Sequence, residues 1–215
     1  MKPKIALFLH QPKASIQSGN GIITALSSQY DFKIFTKHEL ERGFFKGIDI
    51  VAFPGGFGDS DSYDYLLTHH VKQITRFVQR GGKYLGICMG AYWADQDYFN
   101  LLEGARAVQY IKRPGTDTRR PHAKAIDIKW QRKPHKMFFY DGCAIVGDRS
   151  KFKTIATYAN GDPMAIIQNN IGLIGCHPES ERHWYDDYSW MPKHWHRGAH
   201  HKLLLDFVNQ LMENN

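Results

Sequence analysis

The sequence predicts an α/β fold built on a parallel, doubly wound sheet. Short apolar runs alternate with longer stretches of helical periodicity through the first half. The runs stop at glycine or proline turns, and the first of them is continuously apolar, as a strand buried on both faces is.

In chain order, residues 5–9 form the first expected strand. A Gly19-Asn20-Gly21 loop then leads into a short helix over 21–30, carrying Ile22, Ile23 and Leu26. Residues 32–35 and 48–53 are the next strands, the second stopped by Pro54-Gly55-Gly56. Leu67, Val71, Ile74 and Val78 fall at helical spacing, and Gly81-Gly82 ends that helix. A fourth strand, 84–87, runs directly into Cys88-Met89-Gly90-Ala91 and a further helix. The second half is β-rich, with strands expected at 107–111, 123–130, 136–140, 152–158, 164–168 and 171–175. Turn signals such as Pro114-Gly115, Asp141-Gly142 and Asn169-Asn170 separate them. Leu204, Val208 and Leu211 mark a closing amphipathic helix over 203–212. No repeat or low-complexity linker interrupts the chain, so one domain is expected over 1–215, with 106–160 as its basic, β-rich part.

A chain of 215 residues can bury a sizeable core, and 42% apolar content with 13% aromatics excludes disorder. Lys plus Arg is 28 against 21 for Asp plus Glu, a net +7. The excess is concentrated: residues 106–136 hold ten Lys/Arg and two Asp, leaving the remainder close to neutral. That argues against a nucleic-acid binder basic over its whole body, and leaves an anionic ligand or partner for the basic stretch. Cys88, Cys143 and Cys176 are too few and too odd in number for a disulfide scaffold. With no apolar run long enough to be a leader or a span, a soluble cytoplasmic protein is expected.

The chemistry centres on Gly86-Ile87-Cys88-Met89-Gly90. A strand entering Gly-x-Cys-x-Gly and then a helix is the thiol form of a nucleophile elbow. Small neighbours let backbone segments approach a strained turn, and the helix start favours a thiolate. The same residues would also serve a buried structural cysteine. A second group, His177-Pro178-Glu179, ends the strand at 171–175. In an extended segment residues two apart share a side, so Glu179 reaches the His177 ring and fixes its tautomer, while Cys176 points into the core. Cysteine nucleophile, histidine base and carboxylate orienter together match acyl-transfer logic. Amides of the Pro54-Gly55-Gly56 turn, with that of Met89, would form an oxyanion hole. Gly55, Phe57, Tyr92 and Trp184 are expected around a substrate pocket, since the aromatic-rich stretch after Glu179 would close over its mouth.

The Pro-Gly-Gly turn, the Gly-x-Cys-x-Gly elbow and the late His-Pro-Glu, in that order, resemble the class I glutamine amidotransferase superfamily. Within it, Tyr84-Leu-Gly-Ile-Cys-Met-Gly-Ala-Tyr92 after Gly81-Gly82 is most similar to the amidotransferase-like domain at the N-terminus of biotin–protein ligases, in a stand-alone version. The resemblance implies a flavodoxin-like, mostly parallel sheet with a β-rich insertion in its second half. It further implies a Cys88–His177–Glu179 triad and an oxyanion hole from the Gly56 and Met89 amides. The chain departs from the superfamily where glutaminases carry a Gln after the elbow, since Ala91-Tyr92 stands there.

The expected function is therefore that of a cysteine-dependent amidase or amidotransferase-like hydrolase acting on a small C–N or acyl bond. A separate acceptor or ligase protein is a further expected partner. The alternative is a non-catalytic small-molecule-binding or regulatory domain that keeps the fold, its pocket capped by Tyr92 or Trp93. No cofactor is assigned: Gly19-Asn20-Gly21 has Thr24 where a dinucleotide fingerprint needs its third glycine. No metal is assigned either, although a last helix beginning near Lys193 would put His196 and His200 one turn apart, at zinc-ligand spacing.

Overall fold

The computed structural model describes residues 2–10, 14–56 and 60–214. The chain alternates β1 (Lys4–Phe8), α1 (Ile16–Leu26), β2 (Asp31–Phe35), β3 (Ile50–Phe53), α2 (Ser60–Leu67), α3 (Val71–Gln79), β4 (Lys83–Ile87) and α4 (Met89–Trp93). Seven strands follow: β5 (Ala105–Gln109), β6 (Lys124–Trp130), β7 (Lys133–Phe139), β8 (Cys143–Gly147), β9 (Lys153–Tyr158), β10 (Pro163–Gln168) and β11 (Ile171–Ile174). The short α5 (Arg182–Asp186) and long α6 (Ala199–Glu213) close the chain.

Nine strands form one sheet in the order β2-β1-β3-β4-β11-β10-β9-β6-β7. The pairings β1–β2, β1–β3, β3–β4 and β4–β11 are parallel. Those from β11 through β10, β9 and β6 to β7 are antiparallel. The β-rich middle of the chain thus extends the parallel core within the same sheet. It does so by inserting between β4 and β11, which lie side by side although some 80 residues separate them in sequence. Only β5 and β8 stand apart, as a two-stranded sheet. The sequence reading missed β8, whose short Cys143–Gly147 run follows Asp141-Gly142 without its own turn signal.

Successive residues along the central strands feed opposite faces. Ile5, Leu7, Ile50, Ala52, Leu85 and Ile87 pack with α1 and α6 residues Ile22, Leu26, Leu204 and Val208. Ala6, Phe8, Val51, Phe53 and Tyr84 pack on the other face with Ile74, Val78 and Trp93. Every residue of β3, β4 and β11 is buried, which is why their sequences are apolar or small apart from Lys83 at the start of β4 and the hydroxyl-bearing Tyr84.

The Gly19-Asn20-Gly21 segment is helical, not a loop, because α1 starts five residues earlier than expected, at an N-cap whose Ser15 side chain accepts from the Ser18 amide. Its glycines serve close approach. A Cβ on Gly21 would stand 2.1 Å from the Glu179 carbonyl oxygen, and one on Gly19 2.3 Å from Leu9. Likewise α6 begins at Ala199, not near Lys193. No helix among the described residues is long and apolar enough to cross a membrane.

Among the described residues, three of the ten cations in the basic stretch at 106–136 are paired with carboxylates. Arg106 pairs with Asp95 and Asp97 at 3.0 Å, Arg113 with Asp162 at 2.7 Å and Lys136 with Asp127 at 2.8 Å. Of these carboxylates, Asp162 comes from 49 residues away in sequence.

Candidate active site

Strand β4 delivers Cys88 to the carboxyl end of the parallel sheet. There the backbone turns sharply into α4, with Cys88 at φ 50° and ψ −101°. That is the left-handed half of φ space, strained for any residue with a Cβ and retained where surroundings over-determine it. The Cys88 amide is tied to the Ile174 carbonyl at 2.8 Å, and the Gly90 amide to that of Pro54 at 3.3 Å. A Cβ on Gly90 would lie 2.1 Å from the Phe53 carbonyl oxygen, and one on Gly86 2.4 Å from that of Gly90. The two glycines flanking the cysteine are therefore required by backbone-to-backbone contact.

His177 follows β11, and its amide donates to the Phe138 carbonyl of β7 at 2.9 Å. Its Nδ1 lies 2.8 Å from Oε1 of Glu179, which is fully buried. The contact arises differently from the expected extended alternation. The Ser180 amide donates to the His177 carbonyl at 3.2 Å, so residues 177–180 form a turn. Pro178, with its fixed φ, occupies the second position of that turn, where proline is favoured. The turn folds the carboxylate back under the ring.

Cys88 and His177 line the same cavity, close enough for their charges to interact. Burial alone would push the His177 imidazole down. The Glu179 carboxylate and then Cys88 outweigh it, and His177 is held above its ordinary value. With Nδ1 on Glu179, Nε2 is the ring nitrogen left for the thiol. Cys143 and Cys176 are both fully buried, and burial pushes their thiols up.

Ser18 was not singled out from the sequence. Its hydroxyl, buried in α1, donates to Glu179 Oε1 at 2.6 Å and accepts from the Gly55 amide at 2.9 Å. One hydroxyl thus connects the carboxylate under His177 to the Pro-Gly-Gly turn. A Cβ on Gly55 would stand 2.7 Å from Cε1 of His177, so that turn presses directly on the imidazole. Gly56 is bridged to Ala14, with the Ser15 amide donating to the Gly55 carbonyl at 2.9 Å. The Met89 amide is the first N–H of α4, one of the donors a helix leaves free at its start.

These groups open into a cavity of about 300 Å³ lined by Cys88, His177, Ser18, Gly55 and Gly56 on one side. Phe138, Tyr140, Trp184 and Tyr188 line the other. Phe138 and Trp184 meet edge to face, and both pack against the His177 ring. His183 and Asp187 of the stretch after Glu179 also line it. Of the expected pocket residues, Gly55 and Trp184 line the cavity, while Phe57 lies outside the described residues. Tyr92 is not among the lining residues: its hydroxyl donates to the Asp141 carbonyl at 3.0 Å. Trp93 is fully buried among Phe8, Phe53 and Phe99 and caps nothing. α4 turns both side chains toward the core, a direction the short motif did not define.

Of the histidines at zinc spacing, His196 is engaged by hydrogen bonds, and His200 stacks on it with ring centroids 4.3 Å apart. His196 Nδ1 accepts from the Gly198 and His200 amides at 3.1 and 3.3 Å, and its Nε2 lies 3.0 Å from the Ser180 carbonyl. Nδ1 thus caps the start of α6 while Nε2 holds the Ser180 carbonyl, and no metal-holding cluster exists among the described residues.

Residues 13–113 match the family model described as "Biotin-protein ligase, N terminal". A search of curated protein sequences finds no match. Among solved structures, a glutamine amidotransferase from Thermotoga maritima aligns with a TM-score of 0.69 at 13% identity, covering 99% of each chain. PurLQS from the same organism aligns at 0.63 and 16% identity, over 98% of this chain and 100% of that one. A glutamine amido transferase from Methylobacillus flagellatus aligns at 0.58 and 11% identity, over 99% and 90%. At such identities the likeness is one of fold. The chain thus has the fold of glutamine amidotransferase-like proteins, and over residues 13–113 its sequence is similar to the N-terminal region of biotin–protein ligases.

Proposed function

We propose that the protein is a cysteine-dependent amidase or amidotransferase-like hydrolase acting on a small C–N or acyl bond. One observation carries this reading: a strained-turn cysteine and a histidine that a buried glutamate holds at 2.8 Å line one cavity of about 300 Å³.

In this reading His177 accepts the Cys88 proton and Cys88 Sγ bonds to the substrate carbonyl carbon. The oxygen that gains charge is held by the Gly56 and Met89 amides. The carbonyl re-forms as the C–N bond breaks and His177 gives its proton to the departing nitrogen. Water, deprotonated by His177, then cleaves the thioester, releasing an acid and regenerating the thiol. Glu179 orients the ring and stabilises its cationic form, consistent with the raised His177 value. The aromatic walls favour a compact substrate with a flat or apolar portion. Tyr92 turns away where glutaminases carry their Gln, so the proposal does not name glutamine. The match to a ligase's N-terminal region supports a separate acceptor or ligase protein as partner.

Iodoacetamide labelling at neutral pH, read residue by residue by mass spectrometry, tests the assignment. Cys88 labels much faster than Cys143 or Cys176, and His177→Ala slows it. Equal, slow labelling of all three cysteines refutes the proposal.

A further inference from the structure

A second cavity, larger than the one at Cys88, lies at the opposite end of the strands. It is an open groove of about 1010 Å³ at the amino ends of β3 and β4, beside Lys83 and Asp49. Cys88 lies past the carboxyl end of β4, so the length of that strand, roughly 15 Å, separates the two sites. The groove stands on its own geometry and does not depend on the reading of the Cys88 site.

Its walls are strongly basic. Lys72 and Arg76 of α3 and Arg80 at its C-cap follow one another at four-residue intervals and line the groove, as do Arg42 and Lys46 of the loop between β2 and β3. All five are exposed, and among the described residues none is paired with a carboxylate. Like charges one helical turn apart repel and weaken a helix. The stripe on α3 is therefore a standing cost unless an anion meets it. By contrast, Arg106, Arg113, Lys136 and Lys151 each have a carboxylate partner. The lining carboxylate, Asp49, is turned to the Lys4 amide at 2.7 Å.

The groove also carries a flat apolar feature. Phe45 and Phe77 are half-buried in its wall and stacked, with ring centroids 4.6 Å apart and planes 21° apart. Cations flanking stacked aromatic rings suit a ligand that joins phosphates to a planar base. The volume sits at the upper end of the small-molecule range, about 300–1,000 Å³, and accommodates a nucleoside triphosphate.

We propose that the groove formed by Arg42, Lys46, Lys72, Arg76, Arg80 and the Phe45–Phe77 pair binds a nucleotide, its phosphates on the cations and its base against the rings. The ligand has two sources, a free nucleoside polyphosphate or a single-stranded polynucleotide.

The test is fluorescence anisotropy on the intact protein with a fluorescent ATP analogue, and separately with fluorescein-labelled oligothymidylate, at physiological salt. Binding of the ATP analogue with no preference for the oligonucleotide identifies the free nucleotide. Oligonucleotide binding at least tenfold tighter identifies the polynucleotide. In either arm Arg76→Glu with Arg80→Glu, two exposed positions whose folding is checked by circular dichroism, weakens binding by about tenfold or more. Phe45→Ala weakens the nucleotide but not inorganic tripolyphosphate, and Cys88→Ala leaves binding unchanged. The proposal is overturned if neither probe saturates at millimolar concentration, or if the charge-reversed variant binds as well as the native protein. It is equally overturned if polyglutamate competes as effectively as ATP, since the groove would then recognise charge alone, as for an acidic protein segment.

Discussion

Replacing Ser18 by alanine removes one oxygen from two hydrogen bonds at once. In the native protein that oxygen donates to Glu179 Oε1 at 2.6 Å and accepts from the Gly55 amide at 2.9 Å, in a residue 1% exposed. The other Glu179 oxygen, Oε2, has no partner among the described residues, so the carboxylate keeps only His177 once Ser18 is gone. A hydrogen bond to a charged group contributes about 1.5–3 kcal/mol, and a stranded buried N–H costs about 1–3 kcal/mol. Because the two share one hydroxyl, and water can enter from the neighbouring cavity, we expect a total of about 2–4 kcal/mol. For a chain of this size that lowers Tm by roughly 5–15 °C. Differential scanning calorimetry measures the shift, and iodoacetamide labelling measures the consequence for Cys88. A carboxylate and a Pro-Gly-Gly turn that have lost their common anchor place His177 less well, so Cys88 labels several-fold more slowly. Tm within a degree of the native value, together with unchanged labelling, would show that Ser18 is a bystander.

Three further outcomes follow from the same geometry. Gly90→Ala drives a Cβ to within 2.1 Å of the Phe53 carbonyl, a backbone atom that cannot swing aside, and is expected to yield little soluble folded protein; native-like circular dichroism and Tm would contradict this. Glu179→Gln removes the charge that holds the His177 imidazole up while burial continues to push it down, so Cys88 labelling at neutral pH falls by about tenfold or more; an unchanged rate would remove Glu179 from the site. Acid sensitivity arises at α6, where burial lowers His196 to about 4 and His200 to about 3. Both folded values lie below the unfolded one near 6.5, so the unfolded chain binds more protons and stability is lost as pH falls from 6.5 toward 4. Between pH 6.5 and 5 the pair contributes a loss on the order of 2–4 kcal/mol, and His200→Leu flattens roughly half of that slope in urea titrations; an equal slope in both proteins would exclude His200 as a source.

What was readable in the sequence was what is locally determined. The elbow is written in consecutive residues because its constraints are steric and act within one turn: Gly86 and Gly90 must be small where backbone meets backbone. The central strands are legible because burial on both faces leaves almost no polar positions, Lys83 at the start of β4 being the charged one. Glu179 and His177 were paired correctly, though through a turn rather than an extended strand; two residues suffice for contact in either geometry. Ser18 gave no signal, since it is an ordinary helical serine until a residue 161 positions away folds against it. Tyr92 and Trp93 were misplaced for a related reason: which way a short helix points its side chains depends on the core already waiting beside it.

The positive charge shows the same division. By itself the sequence determined its amount, +7, and its concentration between residues 106 and 136. Only the tertiary structure decided where that charge is felt. Asp95, Asp97, Asp127 and Asp162 neutralise three cations of the sequence cluster, while a loop and a helix with no special density of charge put five unpaired cations around one groove. Coulombic partners are chosen by distance through space, and at a Debye length of about 8 Å neighbours in the fold matter more than neighbours in the chain. The thiol centre was local enough to be spelled out; the groove exists only once α3 lies against the amino ends of β3 and β4.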